Sequence, residues 1–144
     1  MSDPLSCLCL EVRGAAQTLT RLYDRELESA GITVTQLSQL AAIRRMAGPT
    51  VGELAIELGL DRSTLGRNIR LLESLALVGL EQGQDARRKH LYLTKQGRAT
   101  LRKAVPIWSG MQKKLKKRLG VEKRALLHEL MSDLSSPELL EAKA

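Results

Sequence analysis

Three aromatic residues, Tyr23, Tyr92 and Trp108, and no phenylalanine stand in a chain of 144 residues. Any core must therefore be filled by Leu, Ile, Val and Ala. No run of about 18 apolar residues occurs, which excludes a membrane-spanning helix. The N-terminus lacks a basic segment ahead of an apolar one, so no secretion signal is expected and the cytoplasm is the expected compartment. There are only two histidines and two cysteines. His90 and His128 are far apart and have neither ligand spacing nor a general-base motif. No glycine loop for phosphate and no nucleophile elbow is present. An enzyme is not expected, nor is a metal or a cofactor. Repeats, low-complexity tracts and long linkers are also missing, and the length suits one domain with a real core.

What is abundant is positive charge, and it is unevenly placed. The chain carries a net charge of +7. Residues 1–60 hold five Lys/Arg against seven Asp/Glu, residues 61–103 hold ten against four, and residues 104–144 hold eight against five. A uniformly basic protein would not show this concentration in the middle third. It is the electrostatic footprint expected of a nucleic-acid binder.

The middle third reads as helix, tight turn, helix, hairpin. Thr50-Val51-Gly52-Glu53 has capping-box spacing, Leu54, Ala55 and Leu58 form one apolar face, and Gly59 ends the helix. Asp61 caps the next helix, Arg62–Leu75, where its charge suits the dipole. At about 100° per residue, Leu65, Ile69, Leu72 and Ala76 share one arc, expected to face the core. Ser63, Arg67, Arg70 and Ser74 share the opposite arc, with Gly66 at its edge. That short, cationic face can enter a DNA major groove, Arg donating twice to guanine and Ser serving either base. A solvated helix face would have the same composition.

Val78 and Leu80 alternate with Gly79 and Glu81, and Leu91 and Leu93 alternate with His90 and Tyr92. Two half-buried strands are expected around a loop from Gly83 to Lys89. Its tip, Asp85-Ala86-Arg87-Arg88-Lys89, carries three consecutive cations that repel one another. Asp85 could hold Arg87 extended by a charge-assisted bond, and a guanidinium on such a ribbon suits a narrow minor groove. A charged edge protected from aggregation is the plainer reading.

On either side the chain is helical. Leu8, Val12, Ala15, Leu19, Leu22 and Leu27 recur near helical spacing from about Leu5 to Ala30, with Gly31 as the stop. Cys7 and Cys9 sit at its beginning. Two residues apart on a helix they point about 200° apart, so a bridge between them would be strained. They read either as small reduced hydrophobes or as candidate redox sensors, because a helix start lowers a thiol's pKa. Thr33 to Gln36 is a second capping box, opening a helix to about Ala47. Leu37, Leu40, Ala41 and Ile43–Arg44 are expected to carry it into the core, and Gly48-Pro49 to break it. After the hairpin, Thr94 can cap a long helix to about Leu119, with a kink at Pro106. Arg98 and Arg102 lie one turn apart near its start, placed for phosphate. The cations from Lys113 to Arg118 read as a solvated face. Gly120 allows a turn, Val121 to Leu134 form a further helix striped by Leu126, Leu127, Leu130 and Leu134, and Ser136-Pro137 opens a short last helical piece.

Asp85-x-Arg87-x4-Tyr92-Leu93-Thr94-x2-Gly97 after a helix-turn-helix resembles the wing signature of the MarR family of bacterial transcriptional regulators. Gly31-Ile32-Thr33-x2-Gln36, Leu71-Leu72-Glu73 and Ala104-x-Pro106-x-Trp108 extend the resemblance over nearly the whole chain. Gly66 departs from it, since relatives often carry a larger residue there. The resemblance implies a mainly α fold with a small β-hairpin wing: a winged helix-turn-helix lobe at 33–103, and dimerisation helices at 1–32 and 104–144. It implies a homodimer on a palindromic double-stranded operator, acting as a repressor relieved by a small-molecule or oxidative signal. Ser63, Thr64 and Arg67 would read bases and Arg87 the minor groove. Arg62, Arg70, Arg88, Lys89 and the amide end at Thr50 would hold phosphates. Trp108 would be dimer core or line an effector pocket. The spacing of Cys9 and Tyr23 resembles the organic-peroxide-sensing branch, although Leu37 stands where that branch carries a tyrosine. A nonspecific DNA-coating protein and a winged helix used for protein contact are the alternatives.

Overall fold

The order of elements follows from where each helix finds its cap. A computed structural model describes residues 7–83, 85 and 88–141. In sequence come α1 (Leu8–Leu27), a 3-10 turn (Glu28–Ala30), α2 (Val34–Met46), α3 (Val51–Leu58) and α4 (Arg62–Ser74). Strands β1 (Val78–Gln82) and β2 (Lys89–Leu93), α5 (Lys95–Leu134) and α6 (Glu138–Glu141) follow. Both expected capping boxes form: the Gln36 amide donates to the Thr33 hydroxyl and the Glu53 amide to the Thr50 hydroxyl, each over 3.2 Å. Asp24 on α1 adds a tie, its carboxylate accepting from the Val34 amide at 2.7 Å.

The structure comprises two units, Met1–Trp108 and Ser109–Ala144. The core of the first is almost wholly aliphatic, as the shortage of aromatics requires. Leu27, Leu40, Leu54, Leu65, Leu72 and Leu91 are fully buried, and each such leucine contributes about 1.5–3 kcal/mol. Tyr23 is the one buried aromatic, and burial raises the pKa of its hydroxyl. Leu27 and Ile32 from the N-terminal side and Leu101 and Ala104 from α5 belong to this same core. The helix-turn-helix is therefore packed on its flanking helices.

The two strands pair antiparallel from Val78 opposite Leu93 to Gln82 opposite Lys89. Gly79 faces Tyr92, whose ring occupies the space a side chain at Gly79 would need. Strand β2 is anchored to the α2–α3 turn: the Leu91 amide donates to the Pro49 carbonyl at 2.8 Å, and His90 Nδ1 lies 2.7 Å from the Gly48 carbonyl oxygen. Since a carbonyl only accepts, His90 carries its proton on that nitrogen.

Several expectations need correction. Helix α4 ends at Ser74, and Ala76 is exposed with φ +56 rather than part of the core arc. The left-handed residue shifts the phase of the chain by one step, and Leu77 is buried in its place. Lys89 is the first residue of β2, paired with Gln82, so it is a strand residue on the last rung before the loop rather than part of the loop itself. Helix α1 gives way to a 3-10 turn before Ala30, and Leu5 lies outside the described residues. Arg44 stays exposed, whereas Gln39 is buried. Pro106 lies inside α5, and the break expected at Gly120 is present, with φ 74 and ψ 176.

In the second unit Leu126, Leu127, Leu130 and Leu134 form a stripe that is exposed on the single chain. Leu8, Leu10 and Leu19 on α1 are exposed in the same way.

The turn from β2 into α5 is the tightest point. Thr94 Oγ1 accepts from the Gly97 amide at 2.9 Å and donates to the Ala76 carbonyl at 2.6 Å, while the Thr94 amide donates to the Leu77 carbonyl at 3.1 Å. A Cβ at Gly97 would lie 1.9 Å from that Leu77 oxygen. Gly97→Ala should therefore lower stability by about 1–3 kcal/mol or more in urea unfolding. Gly66→Ala meets nothing within 4 Å in mid-helix and should raise it by roughly 0.5–1 kcal/mol.

Candidate nucleic-acid interface

Helix α4 presents its polar face on a lattice of hydrogen bonds that starts at Asp61. The Asp61 carboxylate accepts from the Thr64 amide at 2.8 Å, from Ser63 Oγ at 2.6 Å and from Thr64 Oγ1 at 2.6 Å. Arg67 Nη2 donates in turn to Thr64 Oγ1 at 3.4 Å. One carboxylate thus caps the helix and orients the side chains at its first exposed turn. The two hydroxyl bonds, Ser63 first, and the amide bond hold the Asp61 carboxyl well below the usual carboxylate range. The hydroxyl protons of Ser63 and Thr64 point back to Asp61, so outward they offer lone pairs and act as acceptors. Ser63, Arg67 and Arg70 are exposed and Thr64 is half-buried. Ser74 donates to the Leu71 carbonyl at 2.7 Å and is a helix-end contact.

A second cluster lies beside this face. Thr50, Val51, Gly52 and Glu53 at the start of α3, Arg62 at the start of α4, and Arg88 and Lys89 where the hairpin loop enters β2 line one cleft of about 500 Å3. The Arg62 guanidinium covers Gly52, lying 3.6–3.7 Å from where a Cβ would stand. Among the described residues Arg62, Arg88 and Lys89 have no carboxylate within ion-pair distance. One expected donor is already engaged: the Thr50 amide gives its proton to Glu53 Oε2 at 2.8 Å, and the Thr50 hydroxyl donates to the same oxygen at 3.0 Å. The capping box itself occupies it. The Thr50 amide and hydroxyl bonds hold Glu53 below its ordinary pKa, helped by the charge of Arg88. The amides that remain open at this helix start are those of Val51 and Gly52, which have no in-helix acceptor. They belong to the helix amide end at Thr50 that the sequence pointed to.

Arg87 lies outside the described residues, and so does any bond between it and Asp85. Asp85 is exposed, and its carbonyl accepts from the Arg88 amide at 2.9 Å, while Gly83 N–H donates to the Arg88 carbonyl at 3.0 Å. Arg98 is exposed, and its Nη1 donates to the Leu93 carbonyl at 2.6 Å.

Away from this surface, Trp108 lines a recess of about 330 Å3 with Val34, Leu37, Ser38, Ala41, Arg44, Arg45 and Val105. Arg45 also pairs with Glu57 on α3. Cys7 and Cys9 are both free and exposed. Cys7 is the N-cap of α1, outside the helix with φ −111 and ψ 114, so the angular argument that placed both thiols on a helix applies only to Cys9.

This geometry has close counterparts. The chain is 38% identical to the Mycobacterium tuberculosis transcriptional regulator MosR, solved in complex with DNA, over 91% of this chain and 100% of that one, with a TM-score of 0.74. The sequence profile of the MarR family matches residues 30–89. The chain belongs to the MarR family of transcriptional regulators. A mutant MarR from E. coli, solved with operator DNA, superposes with a TM-score of 0.82 at 26% identity, over 90% of this chain and 94% of that one. YwoH of Bacillus subtilis, an uncharacterised helix-turn-helix-type regulator, is 29% identical over 86 residues. That match spans 60% of this chain and 63% of YwoH. The hairpin is accordingly the wing of a winged helix-turn-helix. Among the described residues no helix is long and apolar enough to cross a membrane.

The Asp61 cap gives a pH test. With its folded pKa depressed, Asp61 stabilises the fold above its unfolded pKa of about 4, and that contribution is lost as pH falls toward the folded value. The denaturant midpoint of the wild type should therefore exceed that of Asp61→Ala at neutral pH, and the gap should close as the medium becomes strongly acidic. A gap that stays constant through acid would mean that the carboxylate's charge is not what holds the helix start.

Proposed function

We propose that this MarR-family chain binds a palindromic operator in double-stranded DNA as a two-fold homodimer in the cytoplasm. It represses transcription by excluding polymerase and carries out no catalysis. The observation that carries the reading is the meeting of Arg62, Arg88 and Lys89 with the open amides of α3, directly beside the Ser63–Arg67–Arg70 face of α4. Helix α4 enters the major groove. There Arg67 donates to guanine, and the acceptor oxygens of Ser63 and Thr64 take protons from adenine or cytosine amino groups. Arg70, Arg62, Arg88, Lys89 and the start of α3 after Thr50 hold phosphates, which fixes register without reading sequence. Arg87, with Asp85 behind it, enters the adjacent minor groove.

The exposed leucines of α1 and of the segment after Gly120 support the homodimer, since patches of this kind mark interfaces. We assign dimerisation to residues 1–32 and 104–144 and DNA binding to 33–103. The two copies then meet half-sites about one helical turn apart. Relief comes from a small apolar ligand in the Trp108 recess, where Arg44 stands ready for an acidic group, or from oxidation at Cys9 or Cys7. Either acts by favouring a dimer that cannot span both half-sites.

The test is binding to DNA flanking the protein's own gene, with excess random competitor. Arg67→Ala and Arg87→Ala should each weaken competitor-resistant binding by about 1–3 kcal/mol. Arg62→Ala should weaken binding to all sequences alike and reduce the salt slope by about 1. Binding that random DNA abolishes would mean a coating protein instead, and a monomer in solution would remove the two-half-site arrangement.

A further inference from the structure

Between Asp85 and Glu122 the chain contains no acidic residue. Five cations gather near the end of that stretch: Lys113, Lys114, Lys116, Lys117 and Arg118. All five are exposed on α5 within the second unit. Among the described residues none of them lies within ion-pair distance of a carboxylate. We propose that this face is a docking surface for the phosphate backbone of a second DNA duplex, additional to the one held by α4 and the wing.

The fold does not account for these charges. At about 100° per residue they fan over roughly 200° of the helix. Met111, Leu115 and Leu119 take the remaining side, the first buried and the other two half-buried. Lys113 with Lys117 and Lys114 with Arg118 are like-charge neighbours one turn apart, which weakens a helix. Cations do favour a helix C-terminus, and this one breaks at Gly120, but that effect is confined to the last turn. Lys113 and Lys114 stand before it. A solvated face mixes charges of both sign along the helix, and from Ser109 to Leu119 there is not one carboxylate.

The chemistry favours DNA among polyanions. Five cations occupy about 7.5 Å of helix axis, against one phosphate charge per about 1.7 Å of duplex. All but Arg118 are lysines, compact point charges suited to phosphate, and no aromatic accompanies them. Protein interfaces are instead poor in lysine and rich in aromatics. A helix lying on a membrane needs an exposed apolar face beside its cations, and here the apolar side of the same turns is turned inward. The exposed apolar residues of this unit begin only after Gly120. The surface shares no residue with α4 or the wing, so a duplex held there uses none of these five cations. Bridging two duplexes rests on the operator-binding reading; the surface itself does not.

The experiment loads the full-length protein onto an immobilised duplex taken from beside its own gene, then offers a labelled duplex of random sequence. Wild type should capture the labelled duplex, and added salt should release it. Lys113→Gln, Lys114→Gln and Lys117→Gln together should cut capture about tenfold or more and lower its salt slope by about 3, roughly one per lost phosphate contact. Loading and the denaturant midpoint should not fall in that variant. Lys113→Arg, Lys114→Arg and Lys117→Arg together should capture like wild type. Arg13→Gln, Arg21→Gln and Arg25→Gln, which remove equal charge from α1, should leave capture unchanged. No capture by loaded wild type, full capture by the lysine-to-glutamine variant, or an equal loss in the α1 variant would each overturn the proposal. Binding to phosphatidylglycerol vesicles that needs the three lysines, while capture does not, would overturn it in favour of a membrane surface. Wild type that fails to load, yet binds the labelled duplex in solution through the same lysines, removes the operator reading and leaves the surface standing.

Discussion

Four elements meet at one peptide carbonyl. Leu77 receives the chain as it leaves α4, its N–H donating to the Leu72 carbonyl at 2.9 Å, and starts it into β1. Its oxygen then accepts from the Thr94 amide at the end of β2, and α5 begins so close above it that only a residue without a side chain fits at Gly97. Recognition helix, wing and the first turn of α5 are thereby held in one geometry by a contact that involves no base-reading residue. The apparently decorative Leu-Thr-x-x-Gly tail of the wing motif is that contact. Thr94 supplies the bonds and Gly97 the clearance. With the joint fixed, the wing's second strand can also be tied to the α2–α3 turn through Pro49 and Gly48.

On this scaffold the electrostatics are local. Asp61 and Glu53 are the two carboxylates at helix starts near the basic surface. Both are held ionised by hydrogen bonds from their own helices. Each weakens the positive field it stands in, and each fixes the position of donors or acceptors around it. The net result is a cleft whose cations exceed its single carboxylate, beside a helix face whose hydroxyls have a defined polarity.

Much of this was legible in the residues. Capping boxes at Thr33 and Thr50, the Asp61 cap and the apolar arc of α4 fix their helices through contacts only three or four residues long, so spacing reveals them. The alternation of Val78 to Glu81 and His90 to Leu93 reveals the hairpin for the same reason. What escaped depends on contacts across the fold. Helix α2 is buried over so wide an arc that its sequence shows no clean stripe, which hid Gln39. The left-handed Ala76 shifts the phase by one residue, so Leu77 rather than Ala76 turns inward. Where the loop gives way to strand is set by which residue opposes Gln82, and a run of three cations says nothing about that. The Thr50 amide is a different case: the capping box that announces the helix is the same interaction that uses the donor.

The shortage of aromatics has a consequence for observation as well as for packing. Trp108 is the chain's single tryptophan, is 40% exposed and forms one wall of the recess beside Arg44 and Arg45. With only two tyrosines and no phenylalanine elsewhere, the near-ultraviolet emission of the protein comes from one indole at one address. The molecule carries its own optical label, without any dye, in the wall of that recess.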